Sequence, residues 1–130
     1  NTIIFFFSDH GGPFPRYKRS IYETGIRVPM IAKWIDDSCR GNISQLISFV
    51  DFAPTIIDAA NMKAKFSFEG VSFFKKNQRK YAYSATDRFD ANVDMRRSIR
   101  GGNFKLIYNG DTTTPIYRKV DYRQKMKTMK

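Results

Sequence analysis

The feature that most limits how this chain can fold is the run Thr2–Phe7, TIIFFF, which breaks off into Ser8-Asp9-His10-Gly11-Gly12-Pro13-Phe14-Pro15. Such a short apolar and β-branched run suits a strand covered on both faces, as in the parallel sheet of an α/β domain. The glycines and prolines behind it exclude helix and ladder alike, so the chain leaves the strand as an irregular loop. Ile26–Trp34 (IRVPMIAKW) predicts a second strand, with Pro29 at an end or edge because proline cannot donate to a ladder. A strand covered on both faces needs neighbours and helices that few residues here can supply, so the chain reads as the carboxyl-terminal part of a longer protein.

Further along, apolar residues at 49, 50, 53, 56, 57 and 60 predict a helix over Phe49–Ala60. Asp51 ahead of Pro54-Thr55 is helix-start chemistry, and Asn61 is a plausible stop. Lys80–Ala85 alternates as a strand. Met95–Arg100 and Asn103–Asn109 flank Gly101-Gly102, a β-hairpin signal. Two parts result: residues 1–61 from a larger α/β sheet and residues 62–130 as a smaller antiparallel piece. Trp34 and the many phenylalanines are expected in the core.

The 130 residues make one domain's worth of chain, and the formal charge of +11 favours anionic partners. Much of that charge lies in Lys75–Lys80 and between Arg118 and Lys130, where a solvated surface is expected. No aromatic-interleaved platform, helix-turn-helix or zinc-finger spacing accompanies it, so no nucleic-acid partner is expected. No apolar run approaches the roughly 20 residues of a membrane span, and no leader sequence is visible. The single cysteine, Cys39, excludes an internal disulfide.

Asp9 and the only histidine, His10, stand at the carboxyl end of the first strand, where ligands collect in α/β sheets. Adjacent on irregular backbone, a carboxylate and an imidazole can turn toward one cation, whereas within a strand they would point apart. Two readings fit: an acid-capped turn with a solvent-facing histidine, or half of a metal site whose other ligands lie elsewhere.

Lys18 follows nine residues after Asp9, and it opens a longer pattern. The order S-D-H-G, then K-x-x-x-Y-E-x-G-x-R-x-P from Lys18 to Pro29, then V-D-x-x-P-T-x-x-D from Val50 to Asp58, resembles the type I sulfatases of the alkaline phosphatase superfamily. Asp87-Arg88-Phe89-Asp90, Asp94–Arg100, Phe104–Ile107, Tyr122-Arg123 and Met126–Met129 resemble the heparan N-sulfatase-like branch. The resemblance implies the carboxyl-terminal part of an alkaline phosphatase-like sulfatase fold, with residues 1–61 ending the catalytic α/β domain. Residues 62–130 become its carboxyl-terminal antiparallel α+β subdomain.

The same resemblance implies a hydrolase of sulfate esters or sulfamates on a sulfated carbohydrate. Its nucleophile is a formylglycine made from a C/S-x-P-x-R motif, and calcium holds the sulfate. Positions matching Asp9 and His10 ligate the metal, and the one matching Lys18 binds a sulfate oxygen, offsetting charge as the bond breaks. Arg88 and Asp90 are candidates for contacts to the sugar or its carboxylates. Tyr22 and Glu23 are expected to support the Lys18 loop, and Arg27 is expected to be structural, pairing with Glu23 or another buried acid.

The chain also departs from the pattern. Cys39 sits in D-S-C-R-G, which is not the nucleophile motif, and no second aspartate pair opens the chain. Formylglycine and the remaining ligands are therefore expected upstream, and the chain alone is expected to be inactive. Two alternatives stay open: a phosphoryl or phosphonate ester hydrolase of the same superfamily, and a non-catalytic polyanion-binding remnant. Relatives of this kind are often periplasmic, lysosomal or secreted. Oligomeric state is not encoded in any motif.

Overall fold

A computed structural model describes residues 2–35, 40–75, 79–89 and 92–113. The chain divides into two compact units, Asn1–Ser38 with Ala85–Arg97 and Tyr108–Lys130, and Cys39–Ser84 with Ser98–Ile107. The architecture is mixed α/β, as expected.

In the first unit, strand β1 (Ile4–Phe7) pairs antiparallel with β2 (Met30–Lys33), Phe5 opposite Ala32 and Phe6 opposite Ile31. This corrects the expectation of a parallel strand covered on both faces. Ile4, Phe6 and Phe7 are exposed, Phe6 at 67%. The second strand is also shorter than IRVPMIAKW suggested. Ile26 closes a single helical turn, α1 (Glu23–Ile26), and the ladder starts just after Pro29. Buried Ser20 and Ile21 precede that turn.

In the second unit, the predicted helix forms as a 3-10 turn, Phe49–Asp51, running into α2 (Phe52–Ala59). Ser48 N donates to Asp51 Oδ2 at 2.9 Å, the reach-back of a capping box. Thr55 is fully buried, its hydroxyl donating to Asp51 O at 2.5 Å and accepting from Phe73 N at 3.2 Å. Asn61, at φ 52°, ends the helix in the left-handed region as the sequence suggested. Phe52 and Phe73 meet edge to face at 5.8 Å.

A three-stranded sheet follows in the order β3 (Ala82–Phe89), β4 (Asn92–Gly101), β5 (Phe104–Asn109). The hairpin turn falls one residue later than expected, on Gly102-Asn103, because Gly102 takes φ 54° while Gly101 stays in the strand. Alternation on β4 is inverted: Asp94, Arg96 and Ser98 are buried, and Val93 and Met95 are exposed. The covered side is kept viable by a buried ion pair in which Arg96 Nε and Nη2 donate to the two oxygens of Asp94. Thr86 Oγ1 adds a bond to Asp94 O at 3.2 Å.

Candidate functional site

Where β1 ends, Ser8 Oγ donates to His10 O at 2.7 Å and tightens the turn that carries Asp9 and His10. His10 Nδ1 lies 2.8 Å from Gly11 O. A carbonyl only accepts, so a bond to it needs the proton on Nδ1, and the carboxylate that Nε2 faces is likewise an acceptor. That nitrogen stands 3.4 Å from Asp9 Oδ2, with the Asp9 side chain 81% and the His10 side chain 39% exposed. The two side chains thus form a carboxylate–imidazole contact on the loop that leaves β1. Among the described residues, no group of three or more His, Cys, Asp or Glu is gathered to complete a metal site.

The loop from Gly11 to Gly25 is cinched shut by backbone bonds. Gly11 N donates to Gly25 O at 2.9 Å, and Lys18 N donates to Gly12 O at 3.0 Å. Thr24 Oγ1 reaches back to Arg16 O at 2.5 Å. The crossing is so close that a Cβ on Gly11 would strike Thr24 O, and one on Gly25 would strike Ser20 O and Tyr17 O. Arg16 and Arg19, at φ 64° and 66°, bracket Tyr17-Lys18 in the left-handed region. Each costs about 1 kcal/mol or more, so the surrounding bonds, not local preference, hold Lys18 where it is. The Lys18 side chain is half-buried.

Tyr22 and Glu23 do serve this loop through their backbone. Tyr22 is the N-cap of α1, its N–H bonded to Ser20 Oγ at 3.0 Å and its carbonyl accepting from Gly25 N and Ile26 N. Glu23 O accepts from Arg27 N at 2.8 Å.

Of the other sequence candidates, Arg88 lies on β3 itself, exposed, and makes no ion pair among the described residues. Its neighbour Asp87 instead pairs with Arg97 at 2.5 Å. Asp90, Cys39, Tyr122-Arg123 and the basic tail lie outside the described residues. The structure therefore joins Asp9 to His10 and ties the Lys18 backbone to the loop that His10 opens, while Arg88 lies on strand β3.

Two features were not foreseen. Arg79 leaves the expected solvated run and pairs with Asp51, its side chain only 19% exposed. Nothing local signals a partner that far along the chain. Phe14, expected in the core with the other phenylalanines, is exposed at 59%, and Tyr17 near it at 38%. Their placement between two prolines and beside Lys18 was the available clue.

Comparison with known proteins places these elements. The Sulfatase family model matches residues 1–62. The chain is 44% identical over 133 residues to an ulvan-active sulfatase of Formosa agariphila, covering 99% of this chain and 22% of that protein. It is 33% identical over 143 residues to an N-acetylglucosamine-6-O-sulfatase of Bacteroides thetaiotaomicron, covering 95% of this chain and 26% of the relative. Over 79 residues it is 35% identical to an N-acetylglucosamine-6-sulfatase of Bos taurus, covering 56% and 14%. The chain thus spans about a quarter or less of the length of these relatives. No solved structure matches it closely.

Proposed function

Because the chain belongs to the sulfatase family, we propose that it carries part of the site of an enzyme that removes sulfate from a sulfated sugar, as an ester or a sulfamate. The observation that supports this most is the Asp9–His10 pair, a carboxylate and an imidazole 3.4 Å apart on the loop that leaves β1, which could both serve one divalent cation. Bound there, the cation would polarise the sulfuryl oxygens. The Lys18 ammonium, on its cinched loop, offsets the negative charge that grows as the bond to sulfur breaks. Relatives named for ulvan and for N-acetylglucosamine support a sugar as the carrier of the sulfate.

In this reading residues 1–61 close the catalytic α/β domain and residues 62–130 form its carboxyl-terminal antiparallel subdomain. The family match ending at residue 62 supports that division. Arg88 and Asp90 belong to the second part and are assigned to sugar contacts. The formylglycine motif is absent from the 130 residues, so the chain by itself does not turn over. The test is Lys18→Ala in the intact enzyme, where loss of one preorganised charge lowers kcat by about a hundredfold or more. Activity within a few-fold of wild type rejects the role.

A further inference from the structure

We propose that Phe14 and Tyr17 form a platform on which a sugar ring of the substrate stacks, beside the sulfate held at Lys18; this rests on the sulfatase reading above. Large aromatic side chains left in water by a well-bonded loop call for a partner. These two are not strays of a floppy segment. Their rings meet edge to face, centroids 5.7 Å apart at 72°. Tyr17 N donates to Phe14 O at 3.1 Å, fixing the turn that joins them. Both rings pack over Gly12, where a Cβ would sit 3.6–3.7 Å from their edges. Pro13 and Pro15 bracket Phe14 and remove backbone freedom, so little is left to order on binding.

Chemistry selects the occupant. The face of an aromatic ring is electron-rich, and a pyranose presents a face of electron-poor C–H groups to it while its hydroxyls stay in water. Tyr17 immediately precedes Lys18, so the aromatic pair belongs to the same loop as the group assigned to sulfate. Arg16 is exposed on the same turn, giving the approach a positive field that suits an anionic saccharide.

The two halves of the product, inorganic sulfate and the desulfated disaccharide, separate the platform from the sulfate reading without any turnover. Binding to the intact protein is measured by calorimetry with sulfate and with two disaccharides, from N-acetylglucosamine and from desulfated ulvan. Phe14→Ala/Tyr17→Ala weakens binding of the preferred disaccharide about tenfold and leaves sulfate within twofold. Tyr17→Phe keeps the disaccharide affinity, since the ring and not the hydroxyl does the stacking. Lys18→Ala weakens sulfate only.

A wild-type protein that binds sulfate but neither disaccharide overturns the platform and leaves the Lys18 assignment standing. Disaccharide binding with no dependence of sulfate on Lys18 does the reverse. Binding of neither ligand rejects both. If the double alanine variant loses both ligands together through collapse of the loop, Phe14→Leu/Tyr17→Leu decides, since it keeps the bulk without the π face. Leucine variants that bind the disaccharide like wild type overturn the proposal.

Discussion

Arg79 reaches back 28 residues to Asp51, donating Nε to Oδ2 at 3.2 Å and Nη2 to Oδ1. The same carboxylate caps Ser48 N and holds Val71 N at 2.9 Å, so one buried acid fastens the start of α2 to the segment that follows it. Burial alone would raise its pKa. The Arg79 guanidinium and the two backbone N–H groups more than reverse that, and the carboxyl sits below its ordinary value of 3.8.

Breaking this pair leaves a half-buried guanidinium without its counter-charge. Asp51→Ala therefore destabilises the protein by about 3 kcal/mol or more, read as a shift of the urea midpoint at neutral pH. The folded pKa lies below the unfolded one, so the stabilisation is full above about pH 5 and is lost as pH falls through the folded value. Asp51→Asn removes that part of the acid limb. An unchanged acid limb in the variant contradicts the assignment.

Gly25→Ala drives a methyl group into two carbonyl oxygens, Ser20 O and Tyr17 O. Relief requires opening the crossing that seats Lys18. The expected result is a loss of about 1–3 kcal/mol in stability together with a fall in kcat. A wild-type melting temperature and wild-type activity would show that the crossing is looser than its hydrogen bonds indicate.

Calcium should bind weakly to the 130-residue chain alone, with Kd no tighter than about 0.1 mM, because two ligands cannot enclose it. In the intact enzyme, Asp9→Ala and His10→Ala should each raise the Kd for calcium at least tenfold. Submicromolar binding by the isolated chain in calorimetry rejects the half-site.

Ser98 is buried on β4, and its Oγ has no hydrogen-bond partner among the described residues. Ser98→Ala removes an unsatisfied hydroxyl at almost no change in volume, so the variant should be as stable as wild type or up to about 1 kcal/mol more so. A loss beyond about 1 kcal/mol in thermal unfolding would mean that the hydroxyl has a role.

Local chemistry explains which parts of the fold could be read in advance. The α2 start, the Asn61 stop and the β4–β5 hairpin were legible because capping, left-handed stops and glycine turns depend on a few adjacent residues. The Asp9-His10 pair was legible for the same reason. Arg79 was not, since pairing with Asp51 is a tertiary event and an arginine inside a basic run looks like any other solvated cation. Both the cover and the pairing direction of β1 were misread, because a short apolar run marks a strand and says little about what covers it or which partner pairs with it. On β4 the usual rule fails outright. Asp94 and Arg96, two apart and so on one side of the strand, neutralise each other and can be buried as a unit.

The four-residue ladder of β1 carries a consequence for handling the molecule. Among the described residues β1 is bonded along one edge only, to β2. Its sequence, uncharged and free of proline and glycine, has the makings of a self-stacking cross-β segment. Concentrated by itself, the 130-residue chain should deposit as thioflavin-positive fibrils despite its charge of +11. Ile4→Lys, which places a gatekeeper cation in the segment, should delay their onset.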